Sequence, residues 1–177
     1  MTWYPCKPTP GGPPGGRLHL QLCNDPAWAQ EPKFDGVRCI ASVSDGDGEG
    51  GEVRLRSRTG KPLLATAWVI AGLRWLDPGE YDGELMGGEE FLVFDLPCWA
   101  GETLPRDWAD RRWRLEHQSW TATVRLVPLL DGAAGFAEAL DMGAEGVVFK
   151  RRSSPYPQAT RIGKLTRNWF KIKGATP

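Results

Sequence analysis

From Gly36 onward, short runs of strand-favouring residues dominate the pattern of hydrophobic and polar positions. Short runs rich in β-branched and aromatic residues are typical of strands. They predict strands at residues 37–43, 52–58, 80–86, 90–96, 124–127, 146–151 and 169–173. A polar stretch of Gly and Asp at residues 45–51 favours a hairpin turn between the first two, and a metal-binding loop is the less favoured alternative.

A helical period appears after Pro62. Apolar residues recur there at i, i+3, i+4, i+7 and i+11, namely Leu64, Ala67, Trp68, Ala71 and Trp75. Such a stripe is typical of an amphipathic helix whose apolar face packs on the core. We therefore expect these five side chains to be buried.

Two further helices are predicted. Residues 107–117 carry acidic groups at the N-terminal end and arginines four positions later, which indicates a solvated, charged helix face. Residues 136–142 end at Gly143, a residue type that favours the left-handed conformation of a helix cap.

The first sixteen residues differ in composition from the rest, because nine of them are Gly or Pro. Such a run resists helix and strand alike, so we expect residues 1–16 to form a flexible arm without a catalytic role. Residues 17–177 have a length typical of a single globular domain.

The overall charge excludes a strongly cationic protein, because 22 basic and 22 acidic residues cancel. Any contact with nucleic acid must therefore be local. No apolar run is long enough for a membrane span or a signal peptide, so we expect a cytoplasmic protein with no membrane contact. Four separated cysteines and two histidines favour reduced thiols over a structural zinc site.

The most informative chemical signal is the run EPKFDGVR at residues 31–38. In an extended segment Lys33 and Asp35 point the same way and share one pocket wall, although a surface ion pair before a strand would show the same pattern. Further motifs follow in order: SRTG at 57–60, DGEL at 82–85, FLVFD at 91–95, EGVVFK at 145–150 and WFKIK at 169–173. Each motif is weak alone, but the ordered set is specific.

This ordered set resembles the covalent nucleotidyltransferase superfamily of ATP-dependent DNA ligases, RNA ligases and mRNA capping enzymes, over roughly residues 25–173. Residues 28–39 and 146–156 are most similar to bacterial ATP-dependent DNA ligases of the repair and end-joining type. The resemblance implies an α+β fold in which two antiparallel sheets, flanked by helices, enclose a nucleotide cleft, as in ATP-grasp-like folds.

The implied function is that of the adenylation domain of an ATP-dependent DNA ligase. Lys33 would attack the α-phosphate of ATP, AMP would pass to a DNA 5′-phosphate, and the 3′-OH would seal the nick. A lysine with an ordinary pKa of about 10.4 is a poor nucleophile at neutral pH, so nearby cations and partial burial are expected to favour the neutral amine of Lys33. The alternatives are an RNA ligase, a capping-type nucleotidyltransferase, or a partner-dependent or non-catalytic remnant that binds nucleotide and DNA.

The resemblance also implies roles for other residues. Lys171 and Lys173 would stabilise charge on the phosphate. Nucleotide contacts fall to Glu31, Arg38, Arg58, Glu84, Phe94 and Lys150. Phe94 would stack on adenine, with Phe91 as the competitor, although either ring alone is more typical of a core. Glu84 and Glu145 would hold Mg²⁺ or Mn²⁺.

Residues 150–173 contain eight Lys or Arg and no acidic residue. They favour a local track for the phosphates of nicked or broken duplex DNA, with a solvated basic loop as the alternative. Only residues 174–177 follow the last motif, so we expect no OB-fold domain in this chain. The chain would then act as a monomer, and a partner protein that supplies the clamp is a candidate partner.

Overall fold

The computed structural model describes residues 3–45, 51–103 and 107–174. Within these ranges the chain forms twelve strands and four helices. The strands are β1 (Tyr4–Pro5), β2 (Lys7–Pro10), β3 (Trp28–Lys33), β4 (Val37–Val43), β5 (Val53–Ser57), β6 (Gly79–Met86), β7 (Glu90–Trp99), β8 (Glu102–Thr103), β9 (Val124–Leu126), β10 (Gly146–Arg151), β11 (Gln158–Ala159) and β12 (Leu165–Lys173). The helices are α1 (Arg17–Asn24), α2 (Ala67–Leu73), α3 (Trp108–Glu116) and α4 (Gly135–Asp141).

The chain folds into two compact units. Unit 1 consists of Met1–Asp35 and Val127–Pro177, and unit 2 consists of Gly36–Leu126. The predicted domain at residues 17–177 is thus divided internally, and unit 1 is built from both ends of the chain.

Unit 1 contains a four-stranded sheet in the order β2-β12-β10-β3 and a two-stranded sheet of β1 and β11. Strand β10 runs antiparallel to both of its neighbours, whereas β2 runs parallel to β12. Residues of α1, α4, β10 and β12 share one core, which includes Leu22, Ala139, Phe149 and Ile172.

Unit 2 contains a six-stranded sheet in which β5-β4-β6-β7-β8 are neighbours and β9 lies parallel to β7. Its core includes Leu73 of α2, Leu115 of α3 and Phe91 of β7. The α+β class is as predicted, and the sheets are antiparallel except where β2 and β9 pair.

The pairing of β4 with β5 agrees with the predicted hairpin. These strands are antiparallel, from Cys39 opposite Ser57 to Val43 opposite Val53. Residues 46–50, most of the predicted turn, lie outside the described part of the chain. The predicted strands at 37–43 and 146–151 match β4 and β10, and the remaining predicted strands differ at their ends.

The prediction of an arm without regular structure at residues 1–16 is wrong for residues 4–10. Strand β1 pairs with β11, and β2 lies beside β12 with Lys7 opposite Leu165 and Pro10 opposite Lys171. Proline has no N–H for a sheet ladder and is therefore tolerated on an edge strand, which is the place that β2 takes.

The predicted face of α2 is also wrong. Leu64, Trp68 and Trp75 are 92%, 77% and 78% exposed, whereas Val69 and Leu73 are buried on the other side. Gly72 lies on the buried side, where an added Cβ would come 2.6 Å from the Thr121 hydroxyl. The missing side chain lets the helix approach its neighbours closely on that side.

Helix α3 begins after Asp107 and matches the predicted segment, but its charges are not all solvated. Arg111 donates hydrogen bonds to Asp95 of β7 at 2.6 and 3.1 Å, and both side chains are buried. Helix α4 is followed by Gly143 with φ of 79°, as predicted for a cap. Among the described residues, no helix is long and apolar enough to cross a membrane.

Candidate active site

The ends of three strands meet at one edge of the unit 1 sheet. Gly146, the first residue of β10, is opposite Lys33 at the end of β3 and opposite Lys173 at the end of β12. Glu145 precedes Gly146, and its N–H donates to the Lys33 carbonyl at 2.8 Å. Its carbonyl accepts a hydrogen bond from the Gly174 N–H at 3.0 Å. Main-chain bonds therefore hold Glu145 between the two lysine-bearing strands.

Gly146 makes this approach possible. A Cβ at this position would lie 2.1 Å from the Ile172 carbonyl oxygen and 2.9 Å from the α-carbon of Lys173. A side chain would therefore force β12 away from β10.

The Glu145 carboxylate binds both strand-end lysines. It accepts a hydrogen bond from Lys33 Nζ at one oxygen and from Lys173 Nζ at the other, the latter at 2.6 Å. Burial alone would raise the pKa of Glu145, but the hydrogen bonds and charges of Lys173 and Lys33 outweigh burial and lower it. We call Lys33, Glu145, Lys171 and Lys173 the lysine cluster.

Lys171 is the third amine of this cluster. Its pKa is lowered, first by burial and then by the charges of Lys173, Lys33 and Lys7, against the opposing charge of Glu145. Lys171 and Lys173 alternate along β12 with Ile172, which is fully buried in the unit 1 core. The strand therefore presents its lysines and its apolar residues on opposite faces, as the sequence predicts.

Glu31 and Lys150, both predicted to contact the nucleotide, form a buried ion pair. Their side chains are 2% and 1% exposed and form an ion pair of 2.7 Å. The Lys150 Nζ also lies 4.5 Å from the centroid of the Trp169 ring. An isolated buried charge costs several kcal/mol, so each group offsets the burial cost of the other.

Asp35 also departs from its predicted position. Strand β3 ends at Lys33, and Asp35 is exposed and outside any strand. The strand alternation that was expected to align Asp35 with Lys33 therefore stops before it reaches Asp35.

In unit 2, Arg38 of β4 is held by Asp82 of β6. Its guanidinium donates to the two Asp82 oxygens at 3.0 and 2.6 Å, and Asp82 is fully buried. The same guanidinium lies 5.5 Å from the centroid of the Phe94 ring. Phe94 is half-buried, whereas its competitor Phe91 lies in the core.

Asp82 is the residue that sequence reasoning missed. Only Glu84 of the DGEL motif was selected, although alternation along a strand places Asp82 and Glu84 on one face. The DGEL motif already contained Asp82, which could have been selected together with Glu84. A buried carboxylate needs a cationic partner, and here that partner is Arg38.

The other two predicted residues of unit 2 lie near strand ends. Glu84 Oε1 accepts a hydrogen bond from the Gly36 N–H at 3.0 Å. Arg58 lies in the turn after β5, and its Nε atom is buried with no hydrogen-bond partner among the residues the structure describes.

A preformed metal cage is absent from residues 3–45, 51–103 and 107–174, because no three His, Cys, Asp or Glu side chains there are grouped to hold an ion. Glu145 belongs to unit 1 and Glu84 to unit 2. Magnesium often binds one or two carboxylates together with substrate phosphates and water. Either glutamate suits such a single-ligand role, but at Glu145 a cation must compete with two ammonium groups.

No family model matches the chain. The multifunctional non-homologous end joining DNA repair protein LigD of Mycobacterium tuberculosis is 31% identical over 172 residues, which is 82% of this chain and 21% of that protein. The crystal structure of the ligase domain from M. tuberculosis LigD is 29% identical, with a TM-score of 0.70 over 96% of this chain and 59% of that one. A mycobacterial DNA ligase D complexed with ATP and MES is 28% identical, with a TM-score of 0.70 over 96% of this chain and 60% of that one.

The chain spans about a fifth of the length of the curated LigD relatives that it matches. The similarity covers most of this chain, 82% of it in sequence and 96% in structure. The chain is homologous to the ligase domain of LigD.

Proposed function

We propose that this domain carries out the nucleotidyl transfer of an ATP-dependent DNA ligase, with Lys33 as the residue that becomes adenylated. The observation that carries the proposal is the lysine cluster, in which strand pairing brings Lys33 of β3 and Lys173 of β12 onto one carboxylate, and the charges of all three groups act on Lys171.

The first step requires Lys33 to leave Glu145 and to release its proton to solvent. Its Nζ then attacks the α-phosphorus of ATP, a phosphoramidate bond forms, and the bond to the departing pyrophosphate breaks. A bound triphosphate favours the separation of Lys33 from Glu145, because its negative charge repels the carboxylate and attracts the lysines. Lys171 and Lys173 then stabilise the charge that develops on the α-phosphate.

The later steps act on nicked or broken duplex DNA. AMP passes from Lys33 to a 5′-phosphate, and the neighbouring 3′-OH displaces AMP to close the backbone. The names of the homologues support DNA as the acceptor, since the LigD relatives are DNA repair proteins of end joining. We propose that the domain does this as a cytoplasmic monomer, with a partner protein as a candidate for a DNA clamp.

In unit 2 we propose that Phe94 stacks on adenine and that Asp82 holds Arg38 for contact with the nucleotide or the nick. The half-buried ring of Phe94 and the two hydrogen bonds to Arg38 support these roles. Glu84 would bind ribose or metal, and Arg58 a ribose, a phosphate or the nick. Glu31 and Lys150 would support the pocket from within, since their charges are paired.

Mg²⁺ or Mn²⁺ would be held by Glu145 and by Glu84, each as a carboxylate ligand. A divalent ion bound with the nucleotide would reduce the repulsion that opposes attack on the triphosphate. The lysines provide part of the same charge compensation.

Nick sealing tests the proposal. The wild-type domain and Lys33→Ala are incubated with ATP, Mg²⁺ and either a nick with a 5′-phosphate or a nick that already carries 5′-AMP. We expect the wild type to seal both and Lys33→Ala to seal only the adenylated nick, since the last step needs no lysine nucleophile. Sealing of the phosphate nick by Lys33→Ala, or no sealing by the wild type, would contradict it.

A further inference from the structure

Six of the eight basic residues at 150–173 fall into groups with different surroundings. Lys150 is buried against Glu31, and Lys171 and Lys173 belong to the lysine cluster. Arg161, Lys164 and Arg167 are exposed, and within the described ranges none of these three forms an ion pair. Their charges are therefore available to a partner.

Two exposed aliphatic side chains lie among these cations. Ile162 and Leu165 are each 52% exposed. We call Arg161, Ile162, Lys164, Leu165 and Arg167 the basic strip. It runs from the turn before β12 into the first residues of that strand, and the sequence has no acidic residue at 146–173.

The N-terminal strand β2 holds the backbone of this strip. The Lys7 N–H donates to the Lys164 carbonyl at 2.8 Å, and the Thr9 hydroxyl donates to the Thr166 carbonyl at 2.7 Å. Lys7 also lies opposite Leu165 in the sheet. A backbone that is already fixed loses less entropy when it binds a ligand.

The spacing of the charges fits a polyanion better than a single small anion. At about 3.3 Å per extended residue, Lys164 and Arg167 are roughly 10 Å apart along the chain. Two cations at this separation reach different phosphates. Duplex DNA presents about one charge per 1.7 Å of its axis, and its sugars offer apolar surface beside the phosphates.

We propose that the basic strip binds the phosphate backbone of duplex DNA through Arg161, Lys164 and Arg167, with Ile162 and Leu165 packed against deoxyribose. The proposal rests on the proposed function, which makes duplex DNA the substrate. It assigns the N-terminal strand β2 a role in holding a DNA-binding surface.

The experiment compares the wild type with Arg161→Ala/Lys164→Ala/Arg167→Ala. A matched control, Arg17→Ala/Arg74→Ala/Arg125→Ala, removes three exposed arginines from α1, the end of α2 and β9. Binding to a fluorescent nicked duplex is measured by anisotropy across a series of salt concentrations, and labelling with α-labelled ATP is measured in parallel.

The loss of three phosphate contacts should reduce the slope of log K against log salt by about 2.7, since each contact contributes about 0.9. We expect this reduction in the basic-strip variant and not in the control, with ATP labelling unchanged in both. Ile162→Ser/Leu165→Ser should weaken binding severalfold without changing the slope.

An unchanged slope and affinity in the basic-strip variant overturn the proposal, as does an equal loss in the control. Absence of DNA binding by the wild type also overturns it. If no protein, including the wild type, is labelled by ATP but the DNA-binding results are as expected, the proposed function is contradicted and the DNA-binding role of the basic strip is still supported.

Discussion

Lys33 and Glu145 are 112 positions apart in the chain, yet the Lys33 ammonium group donates a hydrogen bond to the Glu145 carboxylate. Lys173 donates to the other oxygen of the same carboxylate. One acidic side chain therefore neutralises part of the charge of two amines that the proposed reaction uses. The protonation state of Glu145 is consequently linked to the organisation of the whole cluster.

This linkage predicts a loss of stability in acid. The pKa of Glu145 is lowered in the fold, because Lys173 and Lys33 outweigh the opposing effect of burial. Below the ordinary value of 4.5 the unfolded chain binds more protons at this group than the folded chain does, so stability falls as pH falls through this window. Glu145→Gln should remove this contribution.

Urea midpoints of wild type and Glu145→Gln, compared at about pH 7 and about pH 3.5, check this expectation. The difference between the urea midpoints of the two proteins should be smaller at the acidic pH. Glu138→Gln, at an exposed glutamate of α4, serves as the control and should show no such change. A gap for Glu145→Gln that is equal at both pH values would count against the linkage.

The buried pair of Arg111 and Asp95 should be costly to break. Removing one partner of a buried ion pair typically costs about 3–5 kcal/mol, because the remaining charge has no compensation. Arg111→Ala should therefore lower the free energy of unfolding by about this amount, whereas Arg74→Ala at an exposed site should change it by less than about 0.5 kcal/mol. Denaturant unfolding measures the free energy of both variants. A loss for Arg111→Ala as small as that for Arg74→Ala would show that the stability of the fold does not depend on the ion pair.

The buried and exposed faces of α2 predict different losses of stability when large apolar side chains are truncated. Leu73→Ala should cost about 2–5 kcal/mol, since Leu73 is fully buried. Trp68→Ala and Trp75→Ala should each cost less than about 1 kcal/mol, since both rings are exposed. Thermal or denaturant unfolding measures these losses. Larger losses for the two tryptophan variants than for Leu73→Ala would show that the buried face is the one predicted from the sequence.

This helix shows where sequence reasoning reaches its limit. Two stripes share the helical period, one through Trp68 and on to Trp75 just beyond α2, and one through Val69 and Leu73. The period alone therefore does not select the buried face. The decision comes from tertiary packing, where Gly72 lies against Thr121 and Val124. Similarly, the charge pattern of α3 gives no sign that Arg111 meets Asp95 of another element.

The lysine cluster was more accessible to prediction. The motifs at Lys33, Glu145 and Lys173 identify residue types that suit phosphate chemistry, and strand alternation puts Lys171 with Lys173. What the sequence does not give is the register that places Gly146 opposite both Lys33 and Lys173, because that pairing joins distant parts of the chain. For the same reason, the pairing of Glu31 with Lys150 was not foreseen.

The cysteines should differ in reactivity. Burial, followed by the charge of Asp82, raises the pKa of Cys39 to about 12. Its thiolate is therefore scarce in the native fold, and its side chain is fully buried. Iodoacetamide at mildly alkaline pH should modify Cys23 and Cys98, which are half-buried, well before Cys39.

Mass spectrometry of peptides after timed alkylation measures this order, with a urea-unfolded sample as the control in which all four thiols react. Early modification of Cys39 in the native protein would contradict the packing of β4.

The central claim is that Lys33 carries AMP, and covalent labelling tests it most directly. The protein is treated with pyrophosphate to remove bound AMP, incubated with α-labelled ATP and Mg²⁺, denatured and separated, beside Lys33→Ala, Lys61→Ala at an exposed lysine, and a lane with labelled GTP. We predict label from ATP on the wild type and Lys61→Ala, none on Lys33→Ala, and none from GTP. Label that persists in Lys33→Ala, or a folded wild type that takes no label from ATP, would contradict the account.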